Sequence, residues 1–199
     1  QKEKKRVYFR KSTPAKKIQK YYRALSMEQD RRSPHHYFNS VKEVTGKVFV
    51  DVGCAEGYSS LEIIEEAKHV YLFEQDEQWL EAIRATFEPW QDKVTIVQKY
   101  VSDHNSSREQ TLDDFFNNQT DEHLFLKMDI EGAERHALPG CKNLFQNCQK
   151  LDFAICTYHL RDDEEVISAF LNKHNCTYIN QKGFFRHRIR SVVMRGSKK

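Results

Sequence analysis

At 199 residues the chain is long enough for one sizeable core with a small appendage, and its 31% charged and 39% hydrophobic composition fits a soluble globular domain. No run approaches the ~18 apolar residues of a membrane span, and the basic start leads into more charge where a signal peptide would turn apolar. Cys54, Cys141, Cys148, Cys156 and Cys176 are odd in number and contain no Cys-x-x-Cys pair, which argues against a disulfide framework or zinc knuckle and for reduced thiols in a cytoplasmic protein.

The net charge of +3 conceals an asymmetry. Lys2, Lys4, Lys5, Arg6, Arg10, Lys11, Lys16, Lys17, Lys20 and Arg23 face the single acid Glu3, with Tyr8, Phe9, Tyr21 and Tyr22 interleaved. Such a mixture grips nucleic acid or an acidic surface; the plainer alternative is a solvated leader helix. Residues 1–45 are therefore expected to form a basic arm and lead-in helix, and 46–199 the main domain. The first residue is Gln, so the chain is expected to be part of a longer protein. The Arg31–His36 segment reads as a break. Its adjacent histidines, His35 and His36, do not share a helix face and are read as structural, not as metal ligands.

Val48–Val52 reads as the first strand, followed by Gly53-Cys54-Ala55-Glu56-Gly57-Tyr58-Ser59 and a helix expected from Ser59 to Lys68. Gly53 and Gly57 allow backbone angles closed to other residues and a close approach of ligand to main chain, and amides at the helix start are expected to hold an anionic group. Asp51 is placed either to accept from an ammonium or hydroxyl or to tie the loop together. The loop lacks the third glycine of a dinucleotide fingerprint and the lysine of a phosphate loop, which disfavours a phosphate ligand. Cys54 has no cationic neighbour and is read as packing.

A second strand, Val70–Glu74, places Glu74 and Gln75 where doubly wound folds bond ribose hydroxyls. A ribose without a pyrophosphate describes S-adenosylmethionine, with its amino-acid end over Gly53–Gly57 and its ribose at Glu74. A helix over Asp76–Phe87 and a strand over Val94–Val97 follow, and Ser102 and Asp103 are expected beside the adenine. Thr111–Phe116 reads as a short capped helix. A fourth strand, Leu124–Met128, delivers Asp129, Glu131 and Glu134 to the sheet edge where open α/β sheets bind ligands, with Lys127 expected on the other face, paired with an acid. A fifth, Leu151–Cys156, delivers Thr157-Tyr158-His159. A helix over Asp162–Lys173 has an acidic first turn, read as helix capping and not as a metal site. Cys176–Asn180 and Ser191–Met194 are expected to pair around Lys182-Gly183, and Phe184, Phe185, Arg186, His187 and Arg188 to line an acceptor pocket or form a turn.

Val50-Asp51-Val52-Gly53-x-x-x-Gly57, Thr111-Leu112-Asp113-Asp114 and above all Leu126-Lys127-Met128-Asp129-Ile130-Glu131-Gly132-Ala133-Glu134 resemble the FkbM family over roughly Val48 to Met194. The resemblance implies a three-layer, Rossmann-like α/β fold of class I methyltransferases, with a mostly parallel seven-stranded sheet and a C-terminal antiparallel hairpin. It also implies S-adenosylmethionine-dependent O-methylation of a sugar or secondary-metabolite hydroxyl. In that family the fifth strand commonly ends with an acid before a histidine; here Thr157 and Tyr158 precede His159. His159 is the first candidate base, since an imidazole titrates near neutrality. Asp129 and Glu131 are candidates for bonding the acceptor hydroxyl or, with His159, for ligating a divalent cation; no metal is assigned. The rival readings are an RNA methyltransferase gripping its substrate with the arm, and a silent binding module of the same fold.

Overall fold

The computed structural model describes residues 5–117, 122–185 and 188–198. Lys2, Lys4, Arg186 and His187, named above, lie outside them. The elements, in chain order, are α1 (Ala15–Glu28), β1 (Val48–Val52), α2 (Tyr58–Ile63), β2 (His69–Phe73), α3 (Glu77–Phe87), β3 (Val94–Val97), β4 (Tyr100–Val101), β5 (Glu109–Gln110), α4 (Leu112–Phe115), β6 (His123–Met128), α5 (Glu134–Ala137), α6 (Lys142–Asn147), β7 (Lys150–Cys156), α7 (Asp163–Lys173), β8 (Thr177–Phe185) and β9 (Arg188–Lys198). No helix of the described residues is long and apolar enough to cross a membrane.

Seven strands form one sheet in the order β3-β2-β1-β6-β7-β9-β8, and β4 and β5 pair separately. The first five of the seven are parallel, and β9 enters antiparallel to both β7 and β8. This is the Rossmann-like α/β plan of class I methyltransferases. The chain leaves β1 toward β2 and β3, then returns to β6 on the opposite side. That reversal opens a crevice at the carboxyl ends of β1 and β6, where this architecture binds ligands.

Alternation along the strands assigns the two faces. Val50, Leu126, Phe153 and Ile155 pack with α4, α6 and α7 through Leu112, Phe145, Ile167 and Leu171. Phe49, Leu72, Phe125 and Ala154 pack with α2 and α3 through Leu61, Ile63, Ile83 and Phe87. Tyr37, Phe38 and Val44 join this second face, so the segment before β1 is built into the core.

Several boundaries differ from those read in the sequence. The helix expected to reach Lys68 stops at Ile63, and residues 64–66 form a turn that buries Ile64 against β1 and β2. Lys182 and Gly183 lie within β8, which runs with a register shift after Gln181, so this pair is not the hairpin turn. Asp162 precedes α7 without capping it by side chain; Asp162 and Asp163 instead pair with Arg135, each at 2.7 Å, while Asp163 also accepts from the Leu160 amide. The acidic first turn still favours the helix dipole.

Candidate active site at the carboxyl edge of the sheet

The loop after β1 has the backbone that its glycines allow. Gly53 and Gly57 have φ of 79° and 76°, and a Cβ on Gly53 would stand 2.0 Å from the Asp129 carbonyl oxygen. Gly57 abuts the Phe87 ring in the same way. The loop is braced from inside. Asp51 accepts from Ser60 Oγ at 2.6 Å and pairs with Lys127 Nζ at 2.8 Å, and Lys127 also donates to the Gly53 carbonyl. Of the two readings of Asp51, these bonds are those of a tie.

Lys127 and Asp51 are register partners on adjacent parallel strands. Lys127 thus shares a face with Phe125, against the expectation that it points away, and its ammonium lies 5.3 Å from the centre of the Tyr37 ring. Burial opposes its charge, but Asp51 and Asp129 reverse that and hold it protonated.

Several amides of the loop are engaged by the protein itself. Glu74 accepts from the Ala55 amide at 3.0 Å and the Asp76 amide at 2.8 Å, and the Gly53 and Cys54 amides donate to the Phe73 carbonyl. Glu56 turns back onto the Tyr58 amide; its burial raises its pKa to about 7. Cys54 is buried, its thiol pushed well up by desolvation and by Asp51, which fits packing. Ser59 is buried, and Tyr58 meets Ser26 and Tyr22 of α1.

A cavity of about 380 Å³ opens beside this loop, lined by Gly53, Ala55, Glu74, Gln75, Asp76, Trp79, Tyr100, Val101, Asp129, Ile130 and Glu131 among others. It brings together the predicted Gly53, Ala55, Glu74, Gln75, Asp129 and Glu131. Ser102 and Asp103 are not in its lining; Asp103 pairs with His104 at 2.8 Å on the surface, and Ser102 packs against Gly140. In their place stand Tyr100 and Val101 of β4. Trp79, unremarked in the sequence, lies in the first turn of α3, five residues past Glu74; that nearness was the available signal.

At the cavity's inner end, Asp129 is the centre of a polar cluster. Tyr37 Oη donates to its Oδ2 at 2.7 Å, Tyr158 Oη lies 3.5 Å from Oδ1, and His35 Nε2 is 3.8 Å from Oδ2. Burial would raise the Asp129 pKa, but Lys127, His35 and the Tyr37 bond outweigh it and lower it. His35 and Tyr37 come from the segment before β1. Sequence proximity gave no sign of them, because the crossing depends on how Tyr37 and Phe38 bury.

His159 stands next to Asp129 with only 8% of its side chain exposed. Its Nε2 faces Asp129 Oδ1 at 3.4 Å and Glu131 Oε2 at 3.6 Å, and its Nδ1 is 3.0 Å from Oε1 of the fully buried Glu134. Glu134 Oε1 also accepts from the Ile130 amide at 2.8 Å. Burial alone would lower the His159 pKa, but Glu134, then Asp129 and Glu131, reverse the effect and raise it. The residue before His159 is Tyr158, and the buried acid on Nδ1 comes instead from Glu134 of α5, within the Asp129–Glu134 segment. Glu131, at φ 57°, is held in a left-handed conformation that brings its exposed carboxylate to the cavity lip. Asp129, Glu134 and His159 place donor atoms within 4.8 Å of one another, as do His35, Asp129 and Cys156. Tyr37 on Asp129 and the close Glu134–His159 pair already compensate these groups.

The sequence matches the model of the methyltransferase FkbM domain over residues 51–184. No curated protein matches it. Among solved structures, methyltransferase FkbM from Methylobacillus flagellatus KT superimposes with a TM-score of 0.62 at 19% identity, covering 76% of this chain and 43% of that one. This chain therefore spans less than half of that relative's length. A Streptococcus mutans protein in complex with SAH gives a TM-score of 0.55 at 16% identity, covering 79% and 93% of the two chains. Magnesium protoporphyrin IX methyltransferase from Synechocystis PCC 6803 with bound SAM gives 0.52 at 11%, covering 78% and 72%. At these identities the likenesses concern the fold. The domain match covers most of the chain, including the β1 loop, Glu74 and the Asp129–Glu134 segment, and by it the chain belongs to the FkbM methyltransferase family.

Proposed function

We propose that the chain is an S-adenosylmethionine-dependent methyltransferase acting on a hydroxyl of a sugar or secondary metabolite, with His159 as the base. One continuous cavity carries this reading: it runs from Glu74 and Trp79, past the Gly53–Ala55 loop, to the Asp129–Glu131 corner beside His159.

The residues fit the cofactor. The missing Cβ at Gly53 lets the β1 loop seat directly against the Asp129 turn, so that both wall the cavity, and the Glu74 oxygens, each with one backbone bond, retain lone pairs for ribose hydroxyls. Trp79, Tyr100 and Val101 offer apolar surface for a purine. Bound there, the sulfonium supplies an electrophilic methyl group.

The remaining tasks fall to this chain. Asp129, fixed by Tyr37, and Glu131 accept hydrogen bonds from the acceptor and orient its oxygen. With the cofactor bound, His159 Nε2 would take the hydroxyl proton of the acceptor as its oxygen receives the methyl group. Glu134 on Nδ1 fixes the ring and stabilises the imidazolium. Products are a methyl ether and S-adenosylhomocysteine; the proton returns to water from His159. Positioning of this kind supplies ~7–11 kcal/mol, and a placed base typically adds about 10²–10⁴-fold.

The test is incubation of the purified chain with S-adenosylmethionine and a panel of sugars and hydroxylated metabolites, following S-adenosylhomocysteine release and a methyl gain on the acceptor by mass spectrometry. Acceptor-dependent release that is lost in His159→Ala supports the assignment. Tight cofactor binding without turnover across the panel would favour a silent module of this fold.

A further inference from the structure

The proposed mechanism leaves the first 28 residues without a task, and they carry the molecule's most uneven chemistry. The segment before α1 is fastened across α3: Arg10 pairs with Asp76 at 2.7 Å and lies 4.2 Å over the Trp79 ring, Lys11 pairs with Glu81, the Tyr8 amide donates to Thr86, and Phe9 meets Trp79. These contacts use Arg10 and Lys11. Arg6, Lys16, Lys20 and Arg23 make no salt bridge among the described residues.

Within α1, Lys16, Lys20 and Arg23 recur at helical spacing and form one basic row. The helix buries none of its residues, and Tyr8, Tyr21, Tyr22 and Met27 are all exposed. Between the preceding segment and α1 lies an open groove of about 670 Å³, walled by Arg6, Tyr8, Phe9, Ile18, Tyr22 and Arg23 among others. Arg6 and Arg23 therefore share this concavity with the rings of Tyr8, Phe9 and Tyr22, and Lys20, one turn before Arg23 on the basic row, lies outside its lining.

We infer that this groove binds single-stranded nucleic acid. The cations match a phosphodiester backbone, and Tyr8 and Tyr22 provide faces on which bases of any identity stack. An anionic membrane fits less well. A helix that lies on lipid turns its large aliphatic side chains outward, whereas Ile18 and Leu25 are partly covered and the outer face carries lysines and tyrosines. The binding claim does not depend on the methyl-transfer reading.

The experiment is fluorescence anisotropy of a labelled oligouridylate of about 12 nucleotides, within the usual 4–16 nucleotide site size, titrated with the full chain over a salt series. Binding should weaken steeply with salt. Arg6→Ser, Lys20→Ser and Arg23→Ser combined should lower the slope of log affinity against log salt by about 2, at ~0.7 for each phosphate that the variant leaves unneutralised. Tyr22→Leu should weaken binding about 5- to 150-fold at unchanged slope, the stacking loss for one base. All are surface changes, and an unchanged circular-dichroism melt confirms that each variant folds. No binding at the lowest salt, or an unchanged slope in the triple variant, overturns the proposal. So does arm-dependent binding to phosphatidylserine vesicles with none to the oligonucleotide.

Discussion

At the scale of single residues, His159 and the acids around it set the pH at which the site can work. As a base His159 must be neutral, and Glu134, Asp129 and Glu131 hold its pKa above the ordinary 6.5. The rate of turnover should therefore fall as pH drops through that raised value, giving an acid limb above pH ~6.5. Glu134→Gln keeps an oxygen for the Ile130 amide but removes the nearest negative charge, so the limb should move to lower pH; a pH–rate profile that does not move would deny Glu134 its positioning role. His159→Ala should reduce kcat by about 10²–10⁴-fold while cofactor affinity stays within about twofold. Glu56 gives a prediction of the opposite electrostatic kind. Burial lifts its pKa from 4.5 to about 7, so the fold carries no penalty while Glu56 is protonated, and acquires one as pH rises from 4.5 through 7. Glu56→Gln should therefore be neutral at pH 4.5 and stabilising by about 1–3 kcal/mol at pH 8, as read by urea denaturation at the two values.

At the scale of elements, the tight join between β1 and the Asp129 loop decides how much change the site accepts. Gly53→Ala puts a Cβ 2.0 Å from the Asp129 carbonyl at a φ of 79°, combining a backbone clash with left-handed strain. It should cost at least about 3 kcal/mol in denaturant-measured stability, above the range of ordinary surface changes. The strands behind this join were legible because runs such as Val48–Val52 and Leu124–Met128 are apolar and end at a glycine or an acid. Glycine spacing likewise made the loop readable, and Glu74 followed from its distance. Local pattern carries less where tertiary contacts choose the outcome. Ile64 keeps helical dihedrals, but the Glu66 and Ala67 amides both turn back onto the Ile63 carbonyl and close α2 there, with Ile64 buried in the core. Lys182-Gly183 has turn composition, yet β9 pairs past it with only a register shift after Gln181. Tyr37 reaches Asp129 from 92 residues away, a distance over which local pattern carries no signal.

At the scale of the whole molecule, the fold assembles one crevice from six separated segments: the segment before β1, the β1 loop, the end of β2 with α3, β4, the Asp129–Glu134 turn and the residues after β7. Because the cavity exists only in the folded chain, a ligand bound there should stabilise the whole domain. At 100 times its Kd the gain is about 2.7 kcal/mol, which raises Tm by roughly 6 °C at about 2.1 cal/mol/K of unfolding entropy per residue if all 199 residues unfold together, and by more if a smaller part carrying the site unfolds as the unit. The most direct measurement is calorimetric titration of the purified chain with S-adenosylmethionine and S-adenosylhomocysteine, repeated on Glu74→Ala. The account predicts saturable one-site binding by the wild type and affinity lower by about 10- to 100-fold in the variant, the loss of charged hydrogen bonds to the ribose. A well-folded wild type that binds neither ligand, or a Glu74→Ala variant that binds both as tightly, would contradict it.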